Sequence, residues 1–324
     1  MTGVSAARAA GTALGVVAAA GAAAFAWGAL VERNRFTLRQ EVVPVLSPGA
    51  RPITVLHLSD LHMAPWQRRK QDWVAELASL VEPDLIVNTG DNLGHEEGLA
   101  GVRAALDVFA GIPGVYVNGS NDYFGPQLKN PFKYFGGPSG RPDKSATLDT
   151  EAMERYFDDS LGWLNLNNRA RAIELRGSRL EFFGVNDAHR RWDRLDRLPG
   201  AIEELRENVG WQDDRGGTDP VSIGVTHAPY RRVLDAFVTN GAEMIFAGHT
   251  HGGQVRIPGR PALVTNCDIP PEQAQGLSLW QHARRTAFLN VSAGLGTSIY
   301  APVRFACPPE AVVVTLVAGD TDAW

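Results

Sequence analysis

Cysteine is scarce in this chain. Cys267 and Cys307 are the only two in 324 residues; they form no CxxC pair, so they cannot build a thiolate metal site by themselves. Two buried thiols are the expected state, with one disulfide the alternative in an oxidising compartment. A run of basic residues is also missing. With 31 Lys and Arg against 36 Asp and Glu, the net charge is −5. That leaves no electrostatic footprint for a nucleic acid, whereas a small phosphorylated substrate remains admissible. There is no internal repeat, and no low-complexity tract beyond an alanine-rich N-terminus. The 44% apolar content with 34 Gly and 20 Pro is globular. It excludes disorder, a collagen-like repeat and a disulfide-stapled miniprotein, and suffices for one large core or two smaller ones.

One long stretch carries no charge. Ala9 to Val31 is uncharged and, at ~1.5 Å per residue, long enough to cross a hydrocarbon core of ~30 Å. Ala and Gly dominate it, so insertion is marginal. Three readings stand: an uncleaved anchor, which the sequence favours; a signal peptide cut at the A-x-A of Ala24 and Ala26; and a soluble Ala-rich helix. Arg8 before the stretch and Arg33, Arg35 and Arg39 after it put the body on the cytoplasmic side by charge bias, although the side of the membrane stays open. The expected organisation is a hydrophobic segment over 1–36, a linker over 37–52 and one domain over 53–324.

Past the linker, short β-branched runs alternate with helical patterns. Strands are predicted at Ile53 to Leu58, Leu85 to Asn88 and Val115 to Val117, with helices at Arg68 to Val81 and Leu99 to Ala110. This is βαβαβ, hence an α/β fold. Tyr123 to Ser145 breaks the rhythm with glycines, prolines, aromatics and cations, and reads as an ordered excursion or lid. Its Phe124, Phe132, Tyr134 and Phe135 beside Lys129, Lys133 and Arg141 suit either a membrane interface with lipid phosphate or inward packing that pins the loop. Strands resume at Ala172 to Glu174, Leu180 to Val185, Val221 to Thr226, Met244 to Ala247, Ala287 to Val291 and Ala311 to Val317. Most are strongly apolar, as strands buried on both faces are.

Several strands end in metal-binding side chains: Asp60-Leu61-His62, Gly90-Asp91, Asn121, Thr226-His227, and Gly248-His249-Thr250-His251-Gly252-Gly253-Gln254. Ligands of an α/β sheet gather beyond the carboxyl ends of its strands, where segments distant in sequence can meet. Taken singly, D-x-H and Gly-Asp are common by chance. GHTHGGQ is much less ordinary, because two His at i and i+2 can address neighbouring ions while the glycines let the backbone approach.

From about Arg51 to about Val317, the ordered set DLH, GDN, SND, THAP and GHTHGGQ resembles the calcineurin-like metallophosphoesterases, most closely their membrane-associated bacterial subgroup. The resemblance implies a four-layer αββα sandwich holding two divalent ions. Asp60, His62 and His251 would hold the first, Asp91 would bridge, and His227 and His249 would hold the second. Carboxylate and imidazole together favour Mn, Fe or Zn. The implied activity is hydrolysis of a phosphodiester or phosphomonoester, with a hydroxide between the ions attacking phosphorus in line. The alternatives are a pyrophosphatase acting on a nucleotide-linked lipid or cell-envelope precursor, and a non-catalytic metal-binding scaffold tethered to a membrane.

The departure from the family lies after the third strand. Where the family has G-N-H-D or G-N-H-E, this chain reads Gly119-Ser120-Asn121-Asp122. One register puts Ser120 in the metal slot and Asn121 in the His slot. The preferred one puts Asn121 on the metal and Asp122 in the His slot, since an amide oxygen is the better ligand. The usual His acid is absent either way, which favours acidic leaving groups unless Asp122 or His95 takes the role. Asp91, Asn121, Asp122 and His249 are therefore the catalytic candidates. Elsewhere, His57 reads as a core or supporting imidazole on the strand face opposite Leu56 and Leu58. His95 reads as a loop residue, His189 and His282 as surface residues, and Arg190, Arg191, Arg194 and Arg197 as a solvated face.

Overall fold

A computed structural model describes residues 2–127, 146–211 and 219–319, with side chains from residue 12 onward. Most of the Tyr123 to Ser145 excursion, including Lys129, Lys133 and Arg141, lies outside the described residues.

Among the described residues the strands form two six-stranded sheets. In chain order they are β1 (Thr37–Leu46), β2 (Ile53–Leu58), β3 (Leu85–Asn88), β4 (Gly114–Tyr116), β5 (Leu164–Asn165), β6 (Arg169–Leu175), β7 (Ser178–Gly184), β8 (Val221–Val225), β9 (Met244–Ala247), β10 (Gly276–His282), β11 (Arg285–Val291) and β12 (Glu310–Ala318). One sheet runs β1-β12-β2-β3-β4-β5, the other β10-β11-β9-β8-β7-β6. Strands β2 to β5 are parallel, as are β7, β8, β9 and β11; β12 lies antiparallel to β2, and β6 and β10 are antiparallel edges.

Alternation along the strands builds three apolar layers. Val55, Val87 and Val115 meet Phe182, Ile223 and Phe246 between the sheets. Leu56, Leu58, Ile86 and Tyr116 face outward onto α2 (Arg68–Val81) and α3 (Gly98–Leu106). Phe183, Ile245 and Leu289 face outward onto α6 (Leu198–Val209) and α7 (Arg231–Thr239). With both faces covered, the strands need the near-continuous apolar runs seen in the sequence, and the result is the expected four-layer αββα sandwich. Among the described residues between α3 and α6 are the short helices α4 (Ser120–Tyr123) and α5 (Thr150–Arg155).

The predicted linker over 37–52 is corrected. Thr37–Leu46 is β1, paired in parallel with β12 from Thr37 opposite Glu310 to Leu46 opposite Ala318. It is an edge strand, so Pro44 removes no needed donor and the register shifts beside it. Arg39 reaches Glu310 at 3.1 Å, Glu41 at 2.7 Å and Asn290 at 3.0 Å.

Ahead of β1 stands α1 (Thr2–Ala26), continued by a π-helical turn at Trp27–Val31. Among the described residues one helix is long and apolar enough to cross a membrane, spanning Thr12–Asn34. Leu14, Phe25 and Leu30 are 73%, 64% and 70% exposed, so the body offers this helix no core. Only its base is seated. Gly28 lies so close to the Arg304 carbonyl that a Cβ would stand 2.5 Å from that oxygen. Glu32 is buried, accepting from the Cys307 backbone N–H at 2.7 Å and the Trp27 indole N–H at 2.9 Å. Both cysteines are free thiols.

Candidate metal centre

The carboxyl ends of β2, β3, β4, β8 and β9 converge as the strand-end rule requires. Backbone pairing continues past the strands, with the amides of Asp60 and His62 donating to the carbonyls of Gly90 and Asp91, each at 2.9 Å. This fixes the DLH and GDN loops against one another. The turns are tight: Asp60, His62, Asp91, His249 and His251 all have positive φ, between 41° and 69°. Non-glycine residues there cost of order 1 to 3 kcal/mol each and persist where the surroundings over-determine them. Glycines supply the remaining space, since a Cβ on Gly119 would fall 2.2 Å from Asp91 Oδ1 and one on Gly248 would fall 1.9 Å from Ser59 Oγ.

Two groups of donors result, one made by Asp60, His62 and His251, the other by Asp60, Asp91 and His227, with ligand atoms in each within 4.8 Å of one another. Asp91 Oδ2 stands between them, 3.6 Å from His62 Nε2 and 3.4 Å from His227 Nε2. His62 Nε2 and His251 Nε2 face each other at 3.3 Å, as do His227 Nε2 and His249 Nδ1. The far nitrogens fix the tautomers. His227 Nδ1 donates to the Thr89 carbonyl at 2.8 Å and His249 Nε2 to the Asn266 carbonyl at 3.1 Å, which turns the other nitrogen of each ring inward. Burial pushes His62 down to about 4 and His251 to about 3, and holds His249 well below the usual range. His227 is the exception, since Asp91, Asp60 and Asp187 outweigh burial and hold it high.

These residues fit a pair of cations. Asp60 Oδ1 is buried without a hydrogen-bond partner among the described residues, and imidazole nitrogens facing one another across a shared carboxylate are what a central positive charge would reconcile. The other oxygen, Asp60 Oδ2, ends a one-way chain of donors. Arg39 donates to Asn290, Asn290 to His57 Nδ1 at 2.8 Å, His57 Nε2 to Thr89 at 2.9 Å, Thr89 to Ser59 at 2.6 Å, and Ser59 to Asp60 Oδ2 at 2.6 Å. His57 is thus the buried supporting imidazole that the strand alternation predicts.

Of the two registers after β4, Asn121 is the residue beside the donors. Its Nδ2 lies 2.6 Å from Asp91 Oδ2 and its backbone N–H donates to Asp91 Oδ1 at 2.8 Å, whereas Ser120 donates to Asp187 at 2.6 Å. The expectation of a catalytic Asp122 is corrected. That carboxylate is fully buried and accepts four backbone N–H groups, from Asp91, Asn92, Leu93 and Gly119. It ties the GDN loop to the start of α4. Burial and the charge of Asp91 push it up to about 7, against the pull of those N–H groups.

His189 is a second correction. Instead of a surface position it lies half-buried after β7, its ring centroid 4.6 Å from that of His249 and its Nδ1 2.9 Å from the Tyr230 hydroxyl. No motif marks it in the sequence. The nearest signal is Asp187, whose carboxylate accepts from the His189 N–H at 2.9 Å and from Ser120, joining this turn to the β4 loop. His95 packs edge-on against Trp66 at 4.9 Å, His282 pairs with Asp235 at 3.3 Å, and Arg190 lies over the Phe124 ring at 5.4 Å while Arg194 pairs with Asp196 at 2.7 Å.

The Bacillus subtilis (strain 168) protein YpbG, itself uncharacterised, is similar to this chain at 25% identity over 281 residues, covering 83% of this chain and 82% of that protein. Two solved structures are similar in part. A Thermus thermophilus protein, TT1561, aligns at 12% identity over 76% of this chain and 91% of its own, with a TM-score of 0.39. The phosphopantetheinyl hydrolase of Mycobacterium tuberculosis aligns at 13% over 75% and 90%, with a TM-score of 0.37. The calcineurin-like phosphoesterase profile matches residues 53–253, a range that begins with β2 and ends within GHTHGGQ, and with those motifs gathered on one face of the sandwich the chain belongs to the calcineurin-like phosphoesterase family.

Proposed function

We propose that the protein hydrolyses a phosphomonoester or phosphodiester with two divalent ions held at the strand ends, tethered to a membrane by α1. The observation that carries this reading is Asp60 Oδ1, a buried carboxylate oxygen with no hydrogen-bond partner among the described residues and with His251 Nε2 3.5 Å away. Asp60, His62 and His251 would hold one ion and Asn121, His227 and His249 the other, with Asp91 between them. Mn, Fe or Zn suits this donor set better than Ca or Mg. When bound, the ions supply positive charge to the phosphoryl oxygens and acidify a water.

The chain's own residues do the rest. Ser59 orients Asp60, and the carbonyls of Thr89 and Asn266 keep Nε2 of His227 and Nδ1 of His249 turned inward. Asp122 holds the GDN loop in register. We read His189 as the group that meets the departing ester oxygen in place of the absent family His. In its protonated form the ring would donate through Nδ1 to the Tyr230 hydroxyl oxygen and pass the Nε2 proton to the leaving oxygen.

The test is metal content together with turnover of a generic aryl phosphate by protein supplied with Mn, Fe, Zn or Mg. His251→Ala and His249→Ala should each lower bound metal and remove nearly all turnover. Full activity and unchanged metal content in His251→Ala would overturn the ligand assignment.

A further inference from the structure

The loop that follows the candidate ligands ends in side chains that none of the described residues covers. Val255, Ile257, Leu263 and Tyr300 are 42%, 56%, 47% and 51% exposed. They lie on two loops, 254–263 and 299–305, that are laced together. Gln254 donates to the carbonyls of Ala301 and Val303 at 2.9 and 3.0 Å, Arg256 N–H donates to Phe305 at 2.9 Å, and Phe305 N–H donates to Gln254 at 3.0 Å. The 257–260 turn closes with Arg260 N–H on the Ile257 carbonyl at 2.9 Å, and it presents Ile257 with the exposed Arg260.

This lobe is continuous with the base of α1. Arg304 N–H donates to the Gly28 carbonyl at 3.2 Å, and a Cβ on Gly28 would stand 2.9 Å from Val303. Trp27 and Leu30, exposed at 43% and 70%, therefore share one end of the molecule with the loops. The lobe also borders the metal centre. Arg304 donates to the carbonyls of Ala293, Gly294 and Gly296 and reaches His251 Nδ1 at 3.4 Å, and Cys307 Sγ donates to the His251 carbonyl at 3.4 Å.

We propose that loops 254–263 and 299–305 form a second membrane-contact surface that enters the interfacial layer beside the end of α1, so that the metal centre takes phosphoesters whose other end remains in the bilayer. Apolar tips next to Arg suit that layer, where side-chain carbon meets acyl chains and guanidinium meets phosphate. The inference rests on the anchoring role of α1 and, for the substrate, on the phosphoesterase reading.

The full chain, reconstituted in phosphatidylcholine and phosphatidylglycerol vesicles, would carry a nitroxide at one position at a time in a Cys267→Ser background, through Ile257→Cys, Val17→Cys on α1 or Leu80→Cys on α2. The ratio of oxygen to nickel-chelate relaxation at 257 should follow that at 17 and exceed that at 80 several-fold. Water-like relaxation at 257 with lipid-like relaxation at 17 would overturn the contact surface alone. Water-like relaxation at 17 would overturn the anchor, and dipolar broadening between labels at 257 would mark a face between two copies, not lipid. For the substrate, Ile257→Ser with Leu263→Ser should lower hydrolysis of a long-chain alkyl phosphate in the bilayer about tenfold while leaving a soluble short-chain ester nearly unchanged. Equal loss on both esters would overturn the substrate class. Hydrolysis of neither by the unaltered chain would overturn the phosphoesterase reading and leave the relaxation result standing.

Discussion

At the scale of single residues, the centre is built by groups that each have one task. His57 must accept from Asn290 and donate to Thr89 at once, which only the neutral ring can do. Burial, with Arg39 nearby, pushes it down to about 3. An exposed His in the unfolded chain titrates near ~6.5, so between these values the unfolded state binds the extra proton. Stability is therefore full above the unfolded value and falls as pH drops toward 3, by up to roughly 5 kcal/mol. Urea midpoints measured against pH should show a shallower acid limb in His57→Gln than in the unaltered chain; identical limbs would mean that another group carries the acid sensitivity. His189 gives a kinetic prediction. General-acid help is worth ~10² to 10⁴-fold and matters most for poor leaving groups, so His189→Ala should slow alkyl esters far more than aryl esters, steepening the dependence of rate on leaving-group pKa. A parallel drop across the series would assign His189 to positioning His249. The candidate ligands were legible from their motifs. His189 was not, because it reaches the centre through a turn after β7 whose sequence carries no spacing signal.

At the scale of elements, the central strands could be read because both faces are buried and their apolar runs are unambiguous. Val221 to Thr226 is matched by β8 and Met244 to Ala247 by β9 to within a residue. β1 was hidden. Arg39, Glu41 and Pro44 interrupt its apolar pattern, and each is tolerable only at an edge, where one side of the strand needs no partner. Arg39 also pairs with the buried Glu310, whose carboxylate accepts from Ala293 N–H at 3.0 Å. Arg39→Ala would leave that carboxylate without its cation. Breaking a fully buried pair costs about 3 to 5 kcal/mol; with Arg39 partly exposed, about 2 kcal/mol is expected, read as a lowered urea midpoint with unchanged slope. Neutral behaviour in Arg39→Ala would make β1 a strand held by backbone pairing alone.

At the scale of the molecule, α1 and the body are separable only at one boundary. The exposed helix contributes little to the core, but Gly28, Glu32 and β1 belong to the body. Removing residues 2–26 should leave the chemical stability of the remainder within about 0.5 kcal/mol, as for a change away from buried contacts. A chain beginning at residue 41, inside the predicted linker, loses Thr37 to Gln40, four of the ten residues of β1, and the seat of Cys307. It should lose about 3 kcal/mol or more. Chemical denaturation of the two truncations decides, and equal stability would return 37–52 to the status of a linker.

The sequence by itself determined the α/β class, the uncharged helix and the residues able to ligate metal, because periodicity, charge and side-chain chemistry are local properties. Tertiary structure decided what depends on neighbours distant in the chain. It buried Asp122 under four backbone N–H groups, brought Asn121 and not Ser120 to Asp91, turned a charged linker into an edge strand, and set His189 against His249. Each of those outcomes is a competition between partners for one hydrogen bond or one edge. The winner is fixed only when both sheets have closed and the strand ends meet.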